Sequence, residues 1–250
     1  MFPKHAIQIG LAAVLASACA EPAPPPTTGP PSQNLAGDGR SAHTAAEGEI
    51  DAPAERKVAA PAADTKPAPP DRGTVLIVPL RSFPEPLLAA VEERLRSEIH
   101  VEVRRHAVEP LPRSTYYKPR RRYRADKLLD HLETIAATQP ASTRVLGLTE
   151  VDISTTKGEI KDWGVFGLGA MPGRSAVVSS FRLRRRAPPP KVRFRVATVA
   201  LHEVGHMFGL DHCEEPRCSM QDAHGSIENT DTSTGRLGPE CEAELRAKAP

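Results

Sequence analysis

Apolar residues recur along residues 73–250 with the spacings of strands and helices. A β-branched run at residues 74–80 predicts a buried strand, and residues 84–99 carry apolar side chains at helical spacing. Further strands are predicted at residues 100–105, 143–149, 165–169 and 175–183, and helices at 125–135 and 192–208. The alternation of strand and helix predicts one α/β domain with a mixed, mostly parallel sheet and right-handed crossovers.

The first 72 residues lack this periodicity. Residues 1–18 have the pattern of an export signal, with a basic start, an apolar stretch and small residues before Cys19. The segment resembles a bacterial lipoprotein cleavage site, which would leave a lipid on Cys19. The same small residues suit an ordinary signal peptidase, and an uncleaved start is the third alternative. Residues 19–72 are rich in proline and alanine, so they are expected to form a disordered tether.

The composition restricts the partners of the chain. The formal net charge is +2, and an exported protein is not expected to bind nucleic acid. The basic residues at 118–124 and 182–193 are interpreted as a solvated face, with contact to lipid headgroups as the functional alternative. We expect an exported, cell-envelope protein whose membrane contact is the lipid on Cys19, or else a secreted or periplasmic protein.

The stretch at residues 198–213 carries the chemistry. His202 and His206 are four positions apart, so their imidazoles leave one face of a helix and can reach one metal ion. Gly209 can take the left-handed conformation that ends a helix, and the turn brings in His212 as a third ligand. Three protein ligands leave a zinc ion with an open position, as in catalytic zinc sites.

Glu203 follows the first histidine and is predicted to be the general base. Together these residues form the pattern H-E-x-x-H-x-x-G-x-x-H, the metzincin signature. The predicted reaction is hydrolysis of peptide bonds, in which zinc activates water and Glu203 transfers its proton to the leaving amine. The alternative function is a catalytically weak or inactive envelope lipoprotein that binds peptides or metal on the same fold.

The signature continues into Cys213, Cys218 and Met220, and here the chain resembles the archaemetzincin family of zinc metallopeptidases. The resemblance covers roughly residues 74–245 and implies a metzincin-like fold. It also implies that Met220 is the Met-turn residue beneath the histidines. Family members hold a second, structural zinc with four cysteines, the last two in a segment resembling Leu-Cys-Pro-x-Cys. In this chain Gly238 stands where the third of those cysteines is expected.

Two outcomes therefore stay open for Cys213, Cys218 and Cys241. They can bind a second zinc ion with Glu240, Glu244, His224 or water as the fourth ligand. Alternatively, two of them form a disulfide in an oxidising compartment, for example Cys213 with Cys218.

The substrate is expected to be a peptide or protein. An extended peptide could add itself as a strand to a sheet edge near residues 175–182, with its scissile carbonyl over the zinc.

Overall fold

The computed structural model describes residues 72–248. Its larger sheet has five strands in the order β2-β1-β5-β9-β8. The first four run parallel, and β8 pairs antiparallel with β9. The strands are β1 (Thr74–Pro79), β2 (Glu102–Arg105), β5 (Thr143–Thr149), β8 (Gly167–Gly169) and β9 (Ser175–Ser179). The predicted α/β fold with a mixed, mostly parallel sheet is confirmed.

Helices cover both faces of this sheet. Alternate residues of β1 point to opposite sides, as the period of two in a strand requires: Val75 and Ile77 lie in one apolar cluster, and Leu76 and Val78 lie in the other. The first cluster is closed by α1 (Glu85–Glu98) and α4 (Pro189–Met207), and the second by α2 (Ala125–Ala136). The sheet thus fixes α4, whose fully buried Leu201 and Val204 anchor it in the core.

A second sheet has the order β3-β4-β6-β7 and was not predicted. Its strands are β3 (Tyr116–Tyr117), β4 (Arg122–Arg124), β6 (Ile153–Lys157) and β7 (Ile160–Val165). Only Ile153 is a fully buried apolar residue in these strands, so the sequence carries little hydrophobic signal there. Strands β6 and β7 of this sheet connect β5 to β8, and β8 lies beside helix α4.

The predicted strand at residues 175–183 is too long. The strand ends at Ser179, and residues Ser180–Leu183 form the short helix α3. The hydroxyl of Ser179 accepts a hydrogen bond from the backbone N–H of Phe181 at 3.1 Å, which caps the new helix. A side-chain cap therefore overrides the β-propensity of the sequence around it.

The chain after α4 is rich in loops and contains α5 (Glu228–Thr232) and α6 (Pro239–Ala247). Asp231 of α5 accepts two hydrogen bonds of 2.7 Å from the buried guanidinium of Arg195 on α4. The arginine side of this two-bond ion pair is buried and Asp231 is half-buried, and the charge-assisted bonds tie this region to the active-site helix. Within residues 72–248, none of the helices combines the length and the apolar character required to span a bilayer.

Candidate active site

Helix α4 begins and ends at residues suited to those positions. Pro189 and Pro190 lie in its first turn, where a missing N–H does no harm. Gly209 has φ +82°, its N–H donates to the carbonyl of His206, and the N–H of Leu210 donates to the carbonyl of Gly205. This pair of bonds is a Schellman motif, which requires the left-handed conformation that glycine adopts easily. The predicted helix stop at Gly209 is therefore present.

The same turn orients the second histidine. The Nδ1 of His206 is 2.8 Å from the carbonyl oxygen of Leu210, and the Nδ1 of His202 is 2.8 Å from that of Ser219. A carbonyl oxygen can only accept, so each Nδ1 carries the ring proton and donates it. In a neutral imidazole with that tautomer, Nε2 has a free lone pair.

The two Nε2 atoms lie 3.1 Å apart. Two lone pairs at that distance repel each other unless a cation lies between them. Two nitrogens at zinc-bonding distance in a tetrahedral arrangement would be about 3.3 Å apart. The donor set and its spacing therefore fit a zinc ion. Burial lowers the pKa of His202 to about 3 and also lowers the pKa of His206, so both rings are neutral at pH 7, the form that binds metal.

His212 lies where the turn after Gly209 was expected to bring it. Its ring centroid is 5.2 Å from that of His202 and 4.9 Å from that of His206. One ring nitrogen of each of the three histidines lies within 4.8 Å of the corresponding nitrogens of the other two. His212 is exposed, whereas His206 is buried, so the group opens to solvent on the His212 side.

Glu203 is buried beside the edge strand β8, close to Gly167 and Gly169. A Cβ atom at Gly167 would lie 2.5 Å from the Oε1 of Glu203, and one at Gly169 would lie 2.7 Å from its backbone oxygen. Burial raises the pKa of Glu203 to about 8, and a hydrogen bond from the backbone of Gly169 opposes that shift. These two glycines were not predicted as part of the site, although their alternate spacing in a short strand was the available signal.

Comparisons with known proteins agree with this arrangement. A model of peptidase family M54 matches residues 95–247. The chain belongs to peptidase family M54. The archaemetzincin of Thermococcus kodakarensis is 33% identical over 181 residues, which cover 68% of this chain and 94% of that protein. The archaemetzincin of Methanopyrus kandleri is 34% identical over 149 residues, covering 57% of this chain and 79% of its own.

Solved archaemetzincin structures share the M54 fold found here. The crystal structure from Methanopyrus kandleri superposes with a TM-score of 0.59 at 30% identity, covering 70% of this chain and 94% of its own. The crystal structure from Archaeoglobus fulgidus, solved as a malonate complex, gives 0.57 at 29% identity and covers 68% and 99%. The predicted resemblance is confirmed, and the chain is a zinc-dependent metallopeptidase of family M54.

Met220, the predicted Met-turn residue of this M54 chain, is fully buried. A Cβ atom added to Gly205 would lie 2.5 Å from its Sδ, so the thioether packs directly against α4 between the two histidine turns. The carbonyl of Met220 accepts a hydrogen bond of 3.1 Å from the N–H of Cys213. Met220 thus supports both the helix and the segment that follows His212.

The three cysteines within residues 72–248 are free thiols and form a second compact group. The Sγ atoms of Cys218 and Cys241 are 3.7 Å apart. The Sγ of Cys218 also accepts hydrogen bonds from the N–H groups of Met220 and Gly238 at 3.4 and 3.2 Å. Burial and the neighbouring thiols raise the pKa of Cys241, and burial raises that of Cys213, so a cation is needed to hold this group as thiolates.

Glu215 occupies the space beside Gly238. A Cβ atom at Gly238 would lie 2.1 Å from the Oε2 of Glu215, and the N–H of Glu240 donates to the same oxygen at 3.3 Å. The carboxylate therefore fills the volume that the missing cysteine side chain would need. The sequence analysis named Glu240, Glu244 and His224 as fourth ligands, but the structure groups none of them with the thiols.

The close approach of Gly167 to Glu203 gives a prediction. The methyl group of Gly167→Ala should displace the carboxylate and lower peptide hydrolysis roughly a hundredfold, because a misplacement of about 1 Å can have that effect. Zinc content, measured by mass spectrometry, should be unchanged. Leu168→Ala on the same strand is the matched control and should retain activity. Full hydrolysis by Gly167→Ala would show that the position of Glu203 does not matter.

Proposed function

We propose that this chain hydrolyses peptide bonds at a zinc ion held by His202, His206 and His212, with Glu203 as the general base. The observation that carries the proposal is the pair of unprotonated Nε2 atoms 3.1 Å apart, each fixed by a carbonyl on the far side of its ring. Such second partners orient metal-binding histidines and set their tautomers.

The bound zinc supplies a Lewis acid that activates water and polarises the scissile carbonyl. Glu203 removes a proton from the water as its oxygen bonds to the carbonyl carbon. It then delivers that proton to the amide nitrogen as the C–N bond breaks. The contact with Gly167 and Gly169 supports this role, because it holds the carboxyl group in one place. Burial raises its pKa to about 8, and the positive charge of a bound zinc ion would lower that pKa and favour the carboxylate that accepts the proton.

The substrate adds as a strand to the free edge of β8. The expected edge near residues 175–182 is wrong, since β9 pairs with β5 on one side and with β8 on the other. Strand β8 ends the order of the five-stranded sheet, and its glycines contact Glu203. A peptide that forms backbone hydrogen bonds with this edge passes beside the histidines.

We also propose a second zinc ion at Cys213, Cys218 and Cys241. Sulfur atoms bound to one zinc ion in tetrahedral geometry lie about 3.8 Å apart, and the Sγ atoms of Cys218 and Cys241 are 3.7 Å apart. The two N–H groups directed at the Sγ of Cys218 stabilise a thiolate. These features favour metal over the disulfide alternative.

Glu215 is the fourth ligand in this proposal, in place of the residues named from the sequence. Its carboxylate fills the space at Gly238 and carries the same charge as the thiolate it replaces. The thiols lie within 4.8 Å of one another in a group that does not include Glu215, so its side chain would have to move towards the thiols to complete the site.

Export and lipidation of Cys19 are also proposed. Residues 1–71 lie outside the described residues, so the support is the sequence alone, with small residues at positions 16–18 before the cysteine. Lipidation would place the metallopeptidase at the surface of a membrane in the cell envelope.

Glu203→Gln tests the catalytic role. Because the side chain keeps its shape and the histidines are unchanged, zinc content should stay the same, while hydrolysis of a peptide library should fall by about 10²–10⁴-fold. His202→Ala is the companion variant and should lose the zinc. If the wild-type chain and Glu203→Gln are equally inert on every peptide, the inactive peptide- or metal-binding alternative stands instead.

Zinc content of cysteine-site variants tests the second ion. The wild-type chain should contain two zinc ions, and Cys241→Ser should retain only the one at the histidines. Glu215→Ala should weaken the second site more than about tenfold in chelator competition, since loss of outer-shell partners alone has that effect. Adding Gly238→Cys to Glu215→Ala should restore it. A disulfide found by thiol titration, or no effect of Glu215→Ala, would contradict the proposal.

Labelling with a fatty acid tests the anchor. The wild-type chain expressed in a bacterium should incorporate labelled palmitate and sediment with membranes, and Cys19→Ala should do neither. Recovery of the wild-type chain in the cytosol with Met1 in place would contradict export.

A further inference from the structure

A cleft of about 490 Å³ opens beside the active-site helix. This volume is in the range of pockets that bind small ligands or single side chains. Its walls combine apolar side chains with guanidinium groups, and they include Phe166, Arg182, Arg185, Arg186, Arg195 and Ile227. Such a wall composition suits a ligand with a short apolar stem and a negative end.

The cleft lies next to the path of the substrate. Phe166 lines the cleft and directly precedes Gly167, where an added Cβ atom would lie 2.5 Å from the Oε1 of Glu203. The cleft is therefore at the N-terminal end of β8. A peptide paired antiparallel with β8 runs towards that end with its C-terminal half. Residues that follow the scissile bond would then meet the cleft.

The guanidinium groups of the cleft are not all neutralised. Arg182 bonds to Asp152 at 2.7 Å, and Arg195 bonds to Asp231 at the same distance. Arg185 and Arg186 are exposed, and their side chains have no hydrogen bond or carboxylate partner within residues 72–248. Two positive charges are thus available at the cleft for an anionic ligand.

The positions of these charges are fixed by the fold. Arg195 donates hydrogen bonds of 3.0 Å to the carbonyls of Leu183 and Arg185, so the buried guanidinium holds the backbone that carries the free arginines. A loop anchored in this way loses less conformational entropy when it binds a ligand than an unrestrained loop does.

Most of the arginines in the other basic stretch of the chain are paired with carboxylates. In residues 118–124, Arg120 and Arg122 pair with Asp162, and Arg124 pairs with Asp126. A general solvated basic face, as interpreted from the sequence, fits that stretch. It does not account for two unpaired arginines gathered around a cleft with an apolar wall.

We propose that this cleft binds a carboxylate of the peptide substrate on the C-terminal side of the scissile bond. The carboxylate belongs either to an acidic side chain or to the C-terminus of the peptide. Guanidinium groups bind carboxylates through charge-assisted, often paired hydrogen bonds, and Phe166 and Ile227 contact the methylene groups of the ligand. The location of the cleft on the substrate path rests on the proposed function.

Peptide binding tests the proposal without catalysis. Labelled hexapeptides that differ only by Glu or Gln at one position, each with a free or an amidated C-terminus, are titrated against the full-length Glu203→Gln chain. A Glu peptide or a free C-terminus should bind about tenfold more tightly than its neutral counterpart. The Glu–Gln pair and the free–amidated pair distinguish the two sources of the carboxylate.

Arg185→Glu/Arg186→Glu should abolish this preference, so that charged and neutral peptides bind with the same affinity. Arg113→Glu, which changes an exposed arginine outside the cleft, should keep the preference. In the wild-type chain, which retains Glu203, the kcat/KM values of the peptides should rank in the same order as their affinities. Equal binding of all peptide versions, or a preference that survives the double substitution, overturns the cleft assignment. A binding preference without hydrolysis supports the cleft and counts against the proposed function instead.

Discussion

Two neutral imidazoles of α4 direct their Nε2 lone pairs at each other across 3.1 Å, a repulsive arrangement that a cation between them would stabilise. The surrounding structure keeps the rings from turning away. The carbonyl of Leu210 holds His206, and the carbonyl of Ser219 holds His202. The first carbonyl is placed by the Schellman motif at Gly209 and the second by the segment that contains Met220. The helix stop and the turn below the helix therefore both fix the geometry of the histidine group.

The sequence predicted those parts of the fold in which one physical signal dominates. The parallel strand at residues 74–80 is an almost continuous apolar run and the one at residues 143–149 has an apolar centre at 145–148, as expected for strands buried on both faces. The histidines were found because ligand spacing on a helix is fixed by its period. Their grouping with His212 followed from Gly209, whose left-handed backbone leaves few other paths for the chain.

The remaining features depend on contacts between residues that are far apart in the sequence. Glu215 lies beside Gly238 only because the loop after His212 folds back on α6, and no local pattern indicates that approach. The small sheet was missed because its strands bury few apolar side chains. Tertiary packing decided each of these cases.

Residues 218–220 connect the thiol group to the histidines. Cys218 accepts the N–H of Met220, the carbonyl of Ser219 accepts the ring proton of His202, and the carbonyl of Met220 accepts the N–H of Cys213. These bonds join consecutive peptide units, so the position of the Cys218 sulfur and that of the oxygen that orients His202 are linked. The thiol group and the histidine group are thereby coupled through three residues of backbone.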